Sequence, residues 1–447
     1  MSQSSAFTVL QLLGLVIASL VVIQAVYLLF SVVRQRQGTH QLLKHAIAEA
    51  QARLEAERVE ILHRRKQTEL SWIGYRKFEV ERKIFEDENR CICSFYLVPH
   101  DKRPLPDFRP GQFLTFELDI TPDTLEQRPG SRRPSDALGH FVQERQQKPT
   151  VRCYSLSDCP RPNSYRLTIK KIPPPPDDPA APPGLASHYL HGHVEVGDIL
   201  NVKAPSGHFV LDVSRDHPVV LIGGGIGVTP MLSMLNAIVE SGSKRETWFF
   251  YGVRNGKELI AKEHLANIAR EHDNVHLHIC YDQPLESDVL GEDYHHAEHV
   301  SVDLFKRLLP SSNYQFYICG PPPMMTAIHE DLTAWRVPED RIKFEAFGPA
   351  TMRTTRATVS GLTQSTVTFS KAGKECEWTD DGPVLLELAE ANGVMIDSGC
   401  RVGNCNTCLT AIKEGNVRYV REPDTMPEEG SCLTCIAVPN GNLVLDA

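Results

Sequence analysis

The chain has 447 residues, 41% hydrophobic and 23% charged, enough for three domains of ordinary size. Its formal net charge of -9 speaks against a nucleic-acid partner. The 12 cysteines stand mostly alone in the sequence except near the C-terminus, which fits a reducing compartment and thiolate ligands better than a disulfide framework.

Residues 7–30 carry no charge and as a helix would span about 36 Å, more than the ~30 Å of a bilayer core. A cleaved signal peptide would want a basic start and an A-x-A-like site, and neither is evident. Arg34 and Arg36 follow the run and nothing basic precedes it, so the positive-inside rule predicts a single-pass anchor in the inner (cytoplasmic) membrane with the rest facing the cytoplasm. Residues 31–71 are expected to form a helical stalk, with Leu42, Leu43, Ala46, Ile47, Ala50 and Leu54 at helical spacing.

From Trp72 the period changes to two. Phe78, Val80 and Ile84 alternate, as do Cys91, Cys93, Phe95 and Leu97, and Pro110-Gly111-Gln112 turns the chain into another strand. Further short strands are expected at 150–157, 165–171 and 199–203, so residues 72–214 read as an antiparallel β-barrel interrupted by a polar insert at 121–148. Within it, Arg152-Cys-Tyr154-Ser155 places Arg152 and Tyr154 on one strand face, where an Arg can grip a diphosphate and a Tyr can cover an aromatic ring. An exposed strand Arg beside a core Tyr explains the same pattern. Gly184-Leu-Ala-Ser187 opens a helix, whose free amides and Ser187 hydroxyl can meet phosphate.

Residues 215–350 alternate differently. Apolar runs at 219–222, 248–251, 275–280 and 314–319 are each followed by a helical stretch, the pattern of a parallel α/β domain. Gly223-Gly-Gly225-Ile-Gly227-Val-Thr229-Pro230 lies between strand and helix; its glycines let a dinucleotide approach the backbone, and Thr229 and Pro230 suit the N-cap and first helical positions. A tight turn needs glycine whatever it binds. The repetition of the pattern at Cys319-Gly320-Pro321-Pro322-Pro323-Met324 strengthens the dinucleotide reading. Arg254 and Lys257 offer two cations that a 2′-phosphate would use, yet both serve equally as solvated loop charges, so NADH is preferred and NADPH stays possible.

Residues 359–447 contain Cys400-x4-Cys405-x2-Cys408 and, 27 residues later, Cys435. This is the plant-type spacing for a [2Fe-2S] cluster, and Ser398, Gly399, Gly403, Asn404, Asn406 and Thr407 are small or flexible enough to wrap one. The competing zinc site, Cys405-x2-Cys408 with Cys432-x2-Cys435, leaves Cys400 without a role. On a strand Cys432 and Cys435 would face opposite ways, so only one should ligate.

Leu-Thr-Cys435-Ile-Ala-Val-Pro resembles the fourth-ligand strand of plant-type ferredoxins, which implies Cys435 as the ligand and an α+β ferredoxin-like (β-grasp) domain. Arg152-x-Tyr154-Ser155 with Ser187 resembles the flavin site of the ferredoxin-NADP reductase family, implying that Arg152 and Ser187 hold flavin phosphates and Tyr154 packs on the isoalloxazine. Cys319-Gly320-Pro321-Pro322-x-Met324 resembles that family's nicotinamide element, placing Cys319, with Thr229 and Tyr154, near the reacting rings. Residues 72–447 are similar to phthalate-dioxygenase-reductase-like proteins, and the flavin half to the reductase part of flavohaemoglobins, which implies FAD. No globin fits in residues 1–70. The resemblance implies a multidomain reductase that passes electrons from NAD(P)H through FAD and a [2Fe-2S] cluster to a protein acceptor such as an oxygenase, desaturase or haem protein. An NADH:quinone reductase and a redox-sensing or assembly protein are the rival readings: quinone reduction that survives loss of the cluster marks the first, and slow NADH-driven cytochrome c reduction the second.

Overall fold

The computed structural model describes residues 24, 70–120, 149–174, 179, 183–347 and 365–447, except 381, 400, 402, 404, 405, 421, 422, 424 and 425. The apolar run at 7–30, the stalk at 31–71 up to Glu69, the insert at 121–148, and Cys400 and Cys405 lie outside the described residues. Among the described residues no helix is long and apolar enough to cross a membrane.

Six strands form the first sheet: β1 Arg76–Phe85, β2 Ile92–Pro99, β3 Phe113–Leu118, β4 Thr150–Ser155, β5 Tyr165–Lys170 and β6 Ile199–Val202. Their order is β4-β3-β6-β1-β2-β5, every pair antiparallel, and a bridge between Leu156 and Leu167 brings the two edges together as a barrel. Alternation carries Phe78, Val80, Phe95, Leu97 and Phe116 into the core. Ile84 departs from the expected alternation and is 40% exposed. A bulge between Val80 and Arg82 sets two residues of β1 against one of β2, which reverses the facing of every residue beyond it. Lys83 is turned inward instead, and its ammonium binds the carbonyls of His191 and Val194 at the end of helix α1, Leu185–His193.

The second sheet is parallel throughout, with β7 Val219–Gly224, β8 Thr247–Val253, β9 Val275–Tyr281, β10 Gln315–Cys319 and β11 Ile342–Glu345 in the order β11-β10-β7-β8-β9. Val220, Ile222, Phe250, Phe316 and Ile318 are fully buried, as expected for strands covered on both faces. The helices are α2 Val228–Glu240, α3 Lys262–Glu271, α4 Val302–Leu308 and α5 Pro322–Ala334. The barrel loop after β4 grips α2: Arg161 pairs with Glu240 at 2.9 Å, Asn236 donates to the Asp158 carboxylate at 2.8 Å, and the Ser233 hydroxyl donates to the Asp158 carbonyl at 2.8 Å. The helix that starts at the glycine-rich turn is thereby held against the flavin-type barrel.

The C-terminal residues form a mixed five-stranded sheet, order β13-β12-β18-β14-β16, from β12 Ser365–Phe369, β13 Lys374–Trp378, β14 Leu409–Glu414, β16 Ser431–Leu433 and β18 Leu443–Leu445. Strands β12 and β18 run parallel, and β15 Val417–Tyr419 pairs separately with β17 Ala437–Pro439. Helix α6, Leu385–Ala391, sends Leu385, Leu388 and Ala389 into the core against Val367, Phe369 and Trp378. Among the described residues of this part, one helix packs on a mixed sheet, an α+β arrangement.

Candidate functional site

Strand β7 leads away to β8 on one side, while β10 stands on its other side, so the chain direction across the sheet reverses between β7 and β10. In an open parallel sheet that is the crevice where ligands bind, beyond the carboxyl ends of the strands. The glycine-rich turn follows β7 and Cys319-Gly320-Pro321 follows β10, so both motifs flank this one crevice. They also touch. A Cβ on Gly224 would stand 2.7 Å from Met324 Sδ, one on Gly320 3.0 Å from Gly224 Cα, and one on Gly227 2.7 Å from Gly320 N. Glycine is required at these places by close approach, and Gly223 likewise lies against Val228 Cα.

The helix begins earlier than Thr229. A 3-10 turn, Gly225–Gly227, runs into α2 with Gly227 at the N-cap, which corrects the expectation that Thr229 caps the helix. Thr229 is buried and its hydroxyl donates to the Ile226 carbonyl at 3.1 Å, while Pro230 sits in the first turn, where a missing N–H costs nothing. Pro321 and Pro322 open α5 in the same way. Cys319 has no exposed surface; burial and then the neighbouring Glu345 carboxylate push its thiol well above the usual range, so it stays protonated.

In the barrel, Arg152 and Tyr154 lie half-buried on one face of β4, opposite Phe116 and Leu114. Part of the Arg152 guanidinium bonds the Val151 carbonyl at 2.7 Å, and Tyr154 packs edge-on to Phe116 with its phenol raised by burial. Ser155 faces elsewhere. Its hydroxyl donates to Glu345 at 3.2 Å, across the boundary between barrel and parallel sheet. Glu345 is the register partner of Cys319 on the neighbouring strand, so the R-x-Y-S strand is bonded to β11, directly beside the strand that ends in Cys319. Sequence reasoning did not single out Glu345; its position at the end of the last strand, on the binding side of a parallel sheet, was the available signal.

Gly184 is the N-cap of α1, as expected. Ser187 is less available than its sequence suggests: its hydroxyl donates to the Gly184 carbonyl at 2.9 Å and accepts from the Ile172 amide at 3.1 Å. The backbone amides of the first turn of α1 remain as donors that a phosphate could use. Beyond β8, Arg254 donates through Nε to Glu258 at 2.8 Å, and Lys170 approaches the same carboxylate at 3.8 Å. Glu258 is held below the usual carboxylate range by Arg254 and Lys170 although burial opposes it.

Cys408 and Cys435 are both buried, with their sulfurs 3.1 Å apart. They share a small cluster with Leu386, Leu433 and Ile436, whereas Cys432 belongs to the main β-grasp core and its thiol is pushed up to about 12 by burial. The expectation that Cys432 and Cys435 face opposite ways along one strand is corrected: β16 ends at Leu433, and Cys435 lies on the turn that follows. Arg401 and Asn406 both have φ of 56°, and Gly403, at φ 81°, lies too close to Ile436 for a side chain. Two soft sulfur ligands side by side, near the left-handed Arg401, Gly403 and Asn406, fit a [2Fe-2S] cluster, while Cys400 and Cys405 lie outside the described residues.

Comparison with known proteins agrees with this geometry. Residues 221–330 match the oxidoreductase NAD-binding domain family and residues 367–440 the 2Fe-2S iron-sulfur cluster binding domain family. A flavohemoprotein of Bacillus cereus is 35% identical over 305 residues, 68% of each chain. The phthalate dioxygenase reductase structure covers 84% of this chain and 98% of its own at 23% identity and a TM-score of 0.47. An intact type IV self-sufficient cytochrome P450 monooxygenase covers 83% of this chain and 41% of its own at 20% identity and a TM-score of 0.52, a likeness of fold. The chain spans between 61% and 68% of the length of the flavohemoproteins of Halalkalibacterium halodurans and Bacillus cereus that it matches. Over its FAD- and NAD-binding part the chain belongs to the flavohemoprotein reductase family of oxidoreductases, with a [2Fe-2S] domain joined at its carboxyl end.

Proposed function

We propose that the protein is an NADH-dependent reductase that passes electrons through FAD and a [2Fe-2S] cluster to a protein acceptor, an oxygenase, desaturase or haem protein. The observation that carries this reading is the Ser155–Glu345 contact, because it joins the strand with the flavin motif to β11, the strand paired directly with the one that carries the nicotinamide motif. FAD, when bound, accepts two electrons as hydride and releases them singly, and the cluster carries one at a time.

The residues of this chain supply placement. Arg152 offers a charge-assisted grip on the flavin diphosphate, Tyr154 covers the ring system, and the amides at the start of α1 receive phosphate. Gly223, Gly225 and Gly227 open the turn to the dinucleotide, while Gly320, Pro321 and Met324 form the facing wall at the nicotinamide end. Thr229 and Cys319 are buried there and shape it. Cys400, Cys405, Cys408 and Cys435 would hold the iron. Arg254 is neutralised by Glu258, which favours NADH over NADPH.

The apolar run at 7–30, followed by Arg34 and Arg36, supports a single-span anchor in the inner membrane with the redox domains on the cytoplasmic side. An acceptor in or at the membrane fits that placement. A chain beginning at Ser71 should then be soluble and keep NADH oxidation. The decisive experiment is anaerobic addition of NADH to the purified protein, following the flavin visible band and the paramagnetic signal of the cluster. Flavin bleaching followed by the cluster signal is expected; a reduced flavin with a permanently oxidised cluster would overturn the order of transfer, and quinone reduction that survives loss of the cluster would favour the quinone reductase.

A further inference from the structure

We propose that Thr434 is the positioning residue of the iron-sulfur site, its hydroxyl and amide fastening the loop that carries Cys408 to the turn that carries Cys435. The inference rests on the [2Fe-2S] reading above. Cys400, Cys405 and Cys408 lie close together in the sequence, so their spacing is set locally, whereas Cys435 arrives from 27 residues beyond Cys408 and its register needs a separate fastening. The Cys408 carbonyl supplies it. It accepts from Thr434 Oγ1 at 3.1 Å, from the Thr434 amide at 3.3 Å and from Thr410 Oγ1 at 3.2 Å.

These donors differ in what they join. Thr410 lies two residues along the chain from Cys408 and steadies its own strand. Thr434 is adjacent to Cys435, so its two bonds tie one ligand residue to the neighbour of another. Its other side is fixed as well: the Leu386 amide in α6 donates to the Thr434 carbonyl at 3.0 Å, and the Ile436 amide donates to the Leu433 carbonyl at 3.1 Å. Thr434 has no exposed surface, so water cannot replace a lost bond, and a methyl in place of the hydroxyl would face a carbonyl oxygen in a dry site. The side chain touches neither sulfur by any bond in the structure, and it acts through the carbonyl of Cys408.

The test uses the full chain with its flavin. Thr434→Val removes the hydroxyl at nearly constant volume, and Thr434→Ser keeps it. The cluster's visible absorption is followed after addition of a chelator, the reduced cluster's paramagnetic spectrum is recorded, and flavin content reports that the remainder is folded. Thr434→Val should lose its cluster about tenfold to a hundredfold faster than the unaltered protein and give a broadened spectrum, with Thr434→Ser close to the unaltered protein in both. An unchanged half-life in Thr434→Val overturns the proposal, as does equally fast loss in Thr434→Ser, which would make the methyl packing decisive. If Thr434→Val also sheds flavin, Thr434→Ala against Thr434→Ser is judged by the same criterion. An unaltered protein that binds no iron and sulfide removes the [2Fe-2S] reading itself, which the variants alone do not.

Discussion

Gly227 stands with its α-carbon against the carbonyl of Cys319, so that a methyl group at Gly227 would overlap the Cys319 oxygen and lie 2.7 Å from the Gly320 nitrogen. Its φ of -63° suits any residue, so contact, not backbone freedom, requires glycine here. Gly227→Ala should push the two binding loops apart, at a packing cost of about 1–3 kcal/mol, and raise the KM for NADH by roughly tenfold or more. Gly192→Ala is the control, since its added carbon meets nothing within 4 Å and its helical backbone suits alanine. Steady-state NADH oxidation with ferricyanide reads both; an unchanged KM in Gly227→Ala would show that the two loops do not form one site.

The ligand assignment predicts a contrast between two cysteines three residues apart. Cys435→Ser should bleach or strongly disturb the cluster, because Cys435 sits 3.1 Å from Cys408, whereas Cys432→Ser should leave the spectrum nearly intact, because Cys432 packs in the β-grasp core. With the cluster lost, ferricyanide reduction should persist and cytochrome c reduction should fall. The reverse pattern of spectra would exchange the two roles.

Strand periodicity located every strand from β1 to β10, and the two glycine-containing motifs stood out in the sequence, because both signals are local. What escaped the sequence was set by pairing. The bulge at Val80 that turns Ile84 outward exists only against β2. The hydroxyl of Ser187 is taken up by Ile172, fifteen residues earlier, and Glu345 reaches Ser155 across 190 positions. Thr229 was displaced as the cap by a 3-10 turn that glycines permit but do not announce.

The proposed preference for NADH predicts a role for Glu258. Its carboxylate occupies Arg254 and draws Lys170, so a 2′-phosphate would meet a negative group where it needs positive ones. Glu258→Gln removes that charge and frees two cations. The ratio of kcat/KM for NADPH over NADH should then rise about tenfold, the scale of one charge-assisted contact. A ratio that stays put would place the 2′ end elsewhere.

Acid sensitivity is expected from His278. Its Nδ1 lies 3.0 Å from His296 Nε2, its ring stacks on Trp248 and Phe250, and His276 and His295 stand close by, with Glu298 and Arg307 beside His296. Burial, then the neighbouring imidazoles, lower its pKa from 6.5 to about 4. Between those two values the unfolded chain binds a proton that the folded chain refuses. Stability therefore falls as pH drops from 6.5 toward 4, and no such loss from this group occurs above 6.5. Allowing for its partial exposure, His278 should account for about 1–2 kcal/mol of the decline. His278→Gln cannot take up that proton, so its urea midpoint, followed by tryptophan fluorescence, should change less between pH 7 and pH 4.5 than that of the unaltered protein. Parallel pH profiles for the two proteins would show that the imidazole cluster does not govern the acid response.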